Sequence, residues 1–104
     1  MSLPEYNGWW NYPTWNVAQW LKKEEGHYRH WNTRAQEIHD DTEGDIKEER
    51  QCKAIMLLAD ELKTAHEVDA PETSGIYADL LGWVLRYVEW RDVAKQLIKA
   101  IEPA

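Results

Sequence analysis

Residues 89–101, "EWRDVAKQLIKAI", decide the fold. Trp90, Val93, Ala94, Leu97, Ile98 and Ile101 recur at i, i+3, i+4, i+7, i+8 and i+11, the apolar stripe of an amphipathic helix. Such a stripe needs other apolar surfaces to cover it. Working back along the chain, each preceding segment offers one with the same helical period. Residues 74–86 carry Ile76, Leu80, Leu81, Val84 and Leu85. That surface is broad, which predicts a fourth helix at the centre of a bundle. "VDAPETSG" (68–75) separates it from a third helix over 45–67, because Pro71 and Gly75 disfavour continuation. In the third helix Cys52, Ile55, Met56, Ala59, Leu62 and His66 are expected to share the buried face. Glu48, Glu49, Lys53, Asp60 and Lys63 lie opposite.

"DDTEGD" (40–45) reads as a turn. Before it, Tyr28, Trp31, Ala35 and Ile38 mark a second helix over 27–40. A first helix over 14–24 buries Val17, Ala18 and Leu21, with Trp20 at the flank. Thr14 or Asn11 caps its start, Lys22 and Lys23 suit the dipole at its end, and Gly26 is the expected C-terminal cap. No segment alternates with period two. The reading is an all-α, compact bundle of four or five helices with an irregular aromatic-rich N-terminal segment, one helical domain over residues 1–104.

Composition narrows function. Of the net charge of −7, residues 24–49 carry −6, nine acids against Arg29, Arg34 and Lys47. Direct nucleic-acid binding, which sets cations against phosphates, is therefore disfavoured. A protein partner with a basic surface fits the charge. No stretch approaches the roughly 18 apolar residues of a membrane span, so no membrane association is expected. One cysteine forms no internal disulfide, and the N-terminus lacks a secretory pattern; both point to the cytoplasm.

Both ends of the chain carry a resemblance. Asn11-Tyr12-Pro13-Thr14-Trp15-Asn16-Val17-Ala18-Gln19-Trp20-Leu21, followed by Glu25-Gly26, resembles the opening N-Y-x-T-W-N-V-A-x-W-[LI] of a family of small acidic proteins from bacteriophages, plasmids and their bacterial hosts. Asp79, Leu80, Leu81, Val88, Trp90, Val93, Ala94, Leu97 and Ile98 resemble its closing pattern. The family brings no catalytic motif to transfer. What the resemblance implies is a mobile-element accessory protein. Small proteins in that setting often bind and block host machinery, including restriction and CRISPR effectors.

The chain has seven tryptophans, four of them in residues 7–21. Trp15 and Trp20 are expected in the core. Trp9 and Trp10 are adjacent, so one core cannot easily take both, and one is a candidate hot-spot anchor. Asn16 is expected to tie the N-terminal backbone through buried hydrogen bonds. The acidic residues Glu37, Asp40, Asp41, Glu43 and Asp45 are either a solvated turn with flanking helix faces or a patch that mimics nucleic-acid phosphates.

Chemistry-bearing patterns are weak by comparison. Glu24, His27 and His30, and likewise His39, Asp40 and Asp41, lack the spacing of a zinc site. Cys52 and His66 stand 14 residues apart on one helix, about 21 Å along its axis, too far for proton transfer. His66 reads as a satisfied residue at the core edge. The residues therefore point away from an enzyme and toward a non-catalytic binding protein with no cofactor and no metal. Its binding residues would be Trp9 or Trp10 together with the acidic 37–49 region. A self-associating helical module, dimerising through the stripes of the third and fifth helices, is the second reading. A small metal-dependent hydrolase is the third.

Overall fold

The computed structural model describes residues 3–72 and 74–101. Among the described residues five helices follow one another: α1 (Tyr12–Lys23), α2 (Glu25–Asp41), α3 (Lys47–Asp69), α4 (Ile76–Tyr87) and α5 (Trp90–Ile101). Among the described residues the one β pairing is an isolated bridge between Tyr6 and Trp9, so the all-α reading holds. Among the described residues no helix is long and apolar enough to cross a membrane.

Helix α5 is the pivot. It packs on α1, α2 and α3, and Trp90, Val93, Ala94, Leu97 and Ile98 are all buried. Trp31, Ala35 and Ile38 of α2 close over it, with Leu21 of α1 and Ala54, Leu58, Ala59 and Leu62 of α3. Leu58, Leu62 and Ile98 are fully buried, each worth about 1.5–3 kcal/mol in transfer terms. His66 lies between two of the core tryptophans, its ring 6.0 Å from Trp31 and 5.0 Å from Trp90. Its Nδ1 lies 2.7 Å from the Leu62 carbonyl. A carbonyl only accepts, so the proton sits on Nδ1. The core-edge reading of His66 agrees with this geometry.

Helix α1 begins earlier than expected. Asn11 is extended, and its Oδ1 accepts from the Thr14 N–H at 3.0 Å, which makes it the N-cap. Pro13 then falls in the first turn, where a missing N–H costs nothing. Glu24, not Gly26, ends α1: its extended backbone turns the chain while its N–H still reaches the Trp20 carbonyl. Gly26 lies inside α2 at ordinary helical geometry.

The same Asn11 joins the two ends of the chain. Its Nδ2 donates to the Tyr87 carbonyl at 2.6 Å, and the Thr14 hydroxyl donates to its Oδ1 at 2.7 Å. The Glu89 N–H in turn donates to Thr14 Oγ1 at 2.9 Å. Asn11 and Thr14 are buried, so these bonds satisfy groups that water does not reach. They pin the junction between α4 and α5 onto the start of α1. Asn16, expected to make such a tie, is only partly buried; the tie belongs to Asn11 and Thr14.

Four packing expectations are corrected. The buried face of α3 is set by Ala54, Leu58, Ala59 and Leu62, whereas Cys52 and Met56 are exposed. The run Ala54-Ile55-Met56-Leu57-Leu58-Ala59 is apolar on every side, so its periodicity has no phase. Helix α4 is peripheral, not central: among the described helices it packs against α1 alone, and none of its residues is buried. Trp20 is 54% exposed with the Lys23 ammonium 4.8 Å from its ring, and Trp15 is partly buried in a cluster with Tyr6 and Tyr12 outside the main core. The apolar stripes of α3 and α5, expected to meet another copy, are covered by each other.

Candidate functional site

The N-terminal segment resolves the adjacent tryptophans. Tyr6 and Trp9 exchange backbone hydrogen bonds of 3.0 and 2.8 Å across Asn7-Gly8. Both turn residues have positive φ, 48° and 83°, as a two-residue type I′ turn requires. Trp9 packs against the core, and Trp10 points outward at 65% exposure. The Trp10 N–H donates to Asp92 Oδ2 at 3.0 Å. It lines a shallow depression together with Ile55, Arg91 and Lys95.

The acidic residues occupy another part of the surface. Glu37 and Asp40 lie on the outer side of α2, Asp41 ends it, and Glu43 and Asp45 follow in the link to α3; all five are exposed. Thr42 caps α2, its hydroxyl donating to the Ile38 carbonyl at 2.6 Å. Glu37 accepts from Arg34 at 2.7 Å, and Asp40 accepts from Gln36 at 2.9 Å. The acids thus divide between two surfaces of the end of α2, Glu37 and Asp40 along its outer face and Asp41 and Glu43 along the edge beside α3. The residues around Trp10 and those around the acidic turn have no member in common.

Arg34 braces that edge. Its Nε and Nη2 donate to the two Glu61 carboxylate oxygens at 2.8 and 2.9 Å, a fork that joins α2 to α3. The Glu61 hydrogen bond, opposed in part by desolvation, holds the guanidinium above its ordinary pKa. Both side chains are about a third exposed, so the brace serves geometry more than stability.

Beside it opens a cleft of about 650 Å³ between the end of α2 and the outer face of α3. Ile38, Met56 and Leu57 supply its apolar lining, with Asp41, Glu43 and Glu61 as carboxylates and Arg34 and Lys53 as cations. Met56 and Leu57 are each more than half exposed. The helical period read from the sequence puts Met56 on the core face and leaves Leu57 on neither face, and so misses both. The signal was the excess of apolar residues in 54–59, more than one helix face can bury.

Among the described residues no three His, Cys, Asp or Glu side chains converge as metal ligands would. His27 and His30 are exposed, and His30 stacks edge-on to Trp31 at 4.8 Å. His39 lies 3.4 Å from Asp40. Cys52 is an exposed free thiol on α3, distant along the helix from His66. What the edge offers chemically is recognition: a carboxylate-rich rim with an apolar strip beside it. No family model, no curated protein and no solved structure matches the chain.

Proposed function

We propose that this protein is a non-catalytic binding protein that docks on a protein partner with a basic surface, using the edge formed by the end of α2, the 42–46 link and α3. The observation that carries the reading is the α2–α3 cleft, where Met56 and Leu57 stand exposed beside the carboxylates of Asp41, Glu43 and Glu61. Methionine and leucine in such a cleft adapt to an apolar side chain of a partner, and the acids select for lysine or arginine around it. Residues 24–49 hold −6 of the net charge of −7, which favours fast, salt-sensitive association with a basic surface. In the phage and plasmid setting that the sequence resemblance implies, the partner class is a host nuclease or defence complex. Its nucleic-acid surface would meet these carboxylates in place of phosphates.

The test is capture from a bacterial host extract on immobilised protein at low and high salt. Two variants run in parallel, one with Asp40, Asp41 and Asp45 all changed to lysine and one with Leu57→Asp. Expected is a basic protein retained by the wild type at low salt, released at high salt, and lost from both variants. Retention of the same protein by the charge-reversed variant, with unchanged salt dependence, would sink the reading.

A further inference from the structure

Helix α4 presents an apolar surface that nothing among the described residues covers. It touches α1 alone, with Leu85 reaching the core from its inner side. Outward it shows Ile76, Tyr77, Leu80, Trp83 and Val84, with exposures of 67, 71, 53, 45 and 37%. Tyr87 is partly exposed, its ring 4.6 Å from that of Trp83. A contiguous apolar patch of this kind marks an interaction surface.

Its pattern says what covers it. Ile76, Leu80, Trp83 and Tyr87 are spaced by four, three and four residues, the seam of a coiled coil. In heptad terms Leu80 and Tyr87 take position a, and Ile76 and Trp83 take position d. Tyr77 and Val84 then fall at e. Asp79 and Arg86, the charged residues of α4, both fall at g, seven residues apart on the same edge.

Two such helices can pair in either direction. In a parallel pair, g faces e of the partner, which would set Asp79 and Arg86 against Tyr77 and Val84. In an antiparallel pair, g faces g and e faces e. One register then satisfies everything: Ile76 layers with Tyr87 of the second copy and Leu80 with Trp83 of the second copy. That register sets Asp79 beside Arg86 of the second copy on one edge, and Tyr77 beside Val84 of the second copy on the other. Each of these contacts occurs twice about a two-fold axis, the requirement of an isologous dimer.

Charge and area agree with a second copy. The seam is electrically neutral on a chain of net charge −7, so two copies meet where they repel least. With aromatic side chains contributing about 150–250 Å² each when fully covered, α4 offers on the order of 600 Å² per copy. Two copies then bury on the order of 1,200 Å², the lower bound of specific interfaces. We propose that the protein forms an antiparallel two-fold dimer through α4, with reciprocal Asp79–Arg86 pairs. This inference uses a face separate from the acidic edge and stands without the docking reading above.

The test is sedimentation velocity across a concentration series on the full chain. Three variants accompany the wild type: Arg86→Asp, the double change Asp79→Arg with Arg86→Asp, and Leu80→Glu. Circular dichroism checks that each retains its helices. Expected is a reversible dimer in the wild type and a dimer weakened about tenfold or more by Arg86→Asp, which sets two carboxylates together. The double change should restore the dimer, because its swapped charges pair again across the two-fold. Leu80→Glu should leave a monomer. A wild type that stays monomeric at concentrations on the order of 100 μM overturns the proposal. So does a dimer that Arg86→Asp leaves unchanged, or one that the double change fails to restore.

Discussion

Replacing Asn11 by alanine tests the account of how the two ends of this chain are joined. The substitution removes the cap on the Thr14 N–H, the acceptor of the Thr14 hydroxyl and the donor to the Tyr87 carbonyl, three bonds of 3.0, 2.7 and 2.6 Å. Loss of an N-cap costs about 1 kcal/mol. Loss of the donor to the partly buried Tyr87 carbonyl and of the acceptor of the Thr14 hydroxyl adds roughly 0.5–1.5 kcal/mol each. The expected loss is therefore roughly 2–4 kcal/mol, a fall in Tm on the order of 10–20 °C for a domain of this size. Asn11→Asp keeps the cap acceptor but sets a carboxylate oxygen against the Tyr87 carbonyl, so it should not recover the loss. Asn16→Ala, at a partly exposed position one turn later, should cost within about 0.5 kcal/mol. Urea denaturation followed by circular dichroism at the helical band measures all three. Equal losses for Asn11→Ala and Asn16→Ala would refute the reasoning, as would a loss for Asn11→Ala below the roughly 0.5 kcal/mol of the weakest caps.

Two further outcomes check the packing. Leu58→Ala should destabilise by roughly 2–5 kcal/mol in the same denaturation assay, while its neighbour Leu57→Ala should change stability little, since only Leu58 is buried. A large loss at Leu57 would mean that α3 is rotated from the face described. Gly82→Ala should stabilise by up to about 1 kcal/mol, because Gly82 sits inside α4 and an added Cβ meets nothing. Gly8→Ala should destabilise by roughly 1–2 kcal/mol although the space is equally open, because the backbone there holds φ at 83°. Thermal melts that gave both glycine changes the same sign would contradict this assignment of backbone strain.

The candidate site was legible in parts. The acids along α2 and the 42–46 link belong to one stretch of chain, so their proximity could be read directly. Their brace could not: Arg34 and Glu61 are 27 residues apart and meet only because α2 packs along α3. Met56 and Leu57 were hidden by their neighbours, since six apolar residues in a row mark a helix without saying which side turns inward. The question posed by Trp9 and Trp10 was visible at once, but its answer depended on the Asn7-Gly8 turn and on what lay beneath it.

The sequence by itself determined that this chain is helical, where its helices lie to within a few residues, and that α5 presents a buried stripe of Trp90, Val93, Ala94, Leu97 and Ile98. Those properties are local: backbone bonding, capping and a 3.6-residue period act within a few turns. The tertiary structure alone decided which side of α3 faces the core, that Asn11 reaches across the chain to Tyr87, and that α4 sits at the rim with its apolar face outward. An apolar stripe establishes that a helix has something to bury. Whether its own chain covers that stripe depends on where the other helices are placed, and here α2, α3 and α5 close on one another and leave α4 with α1 alone.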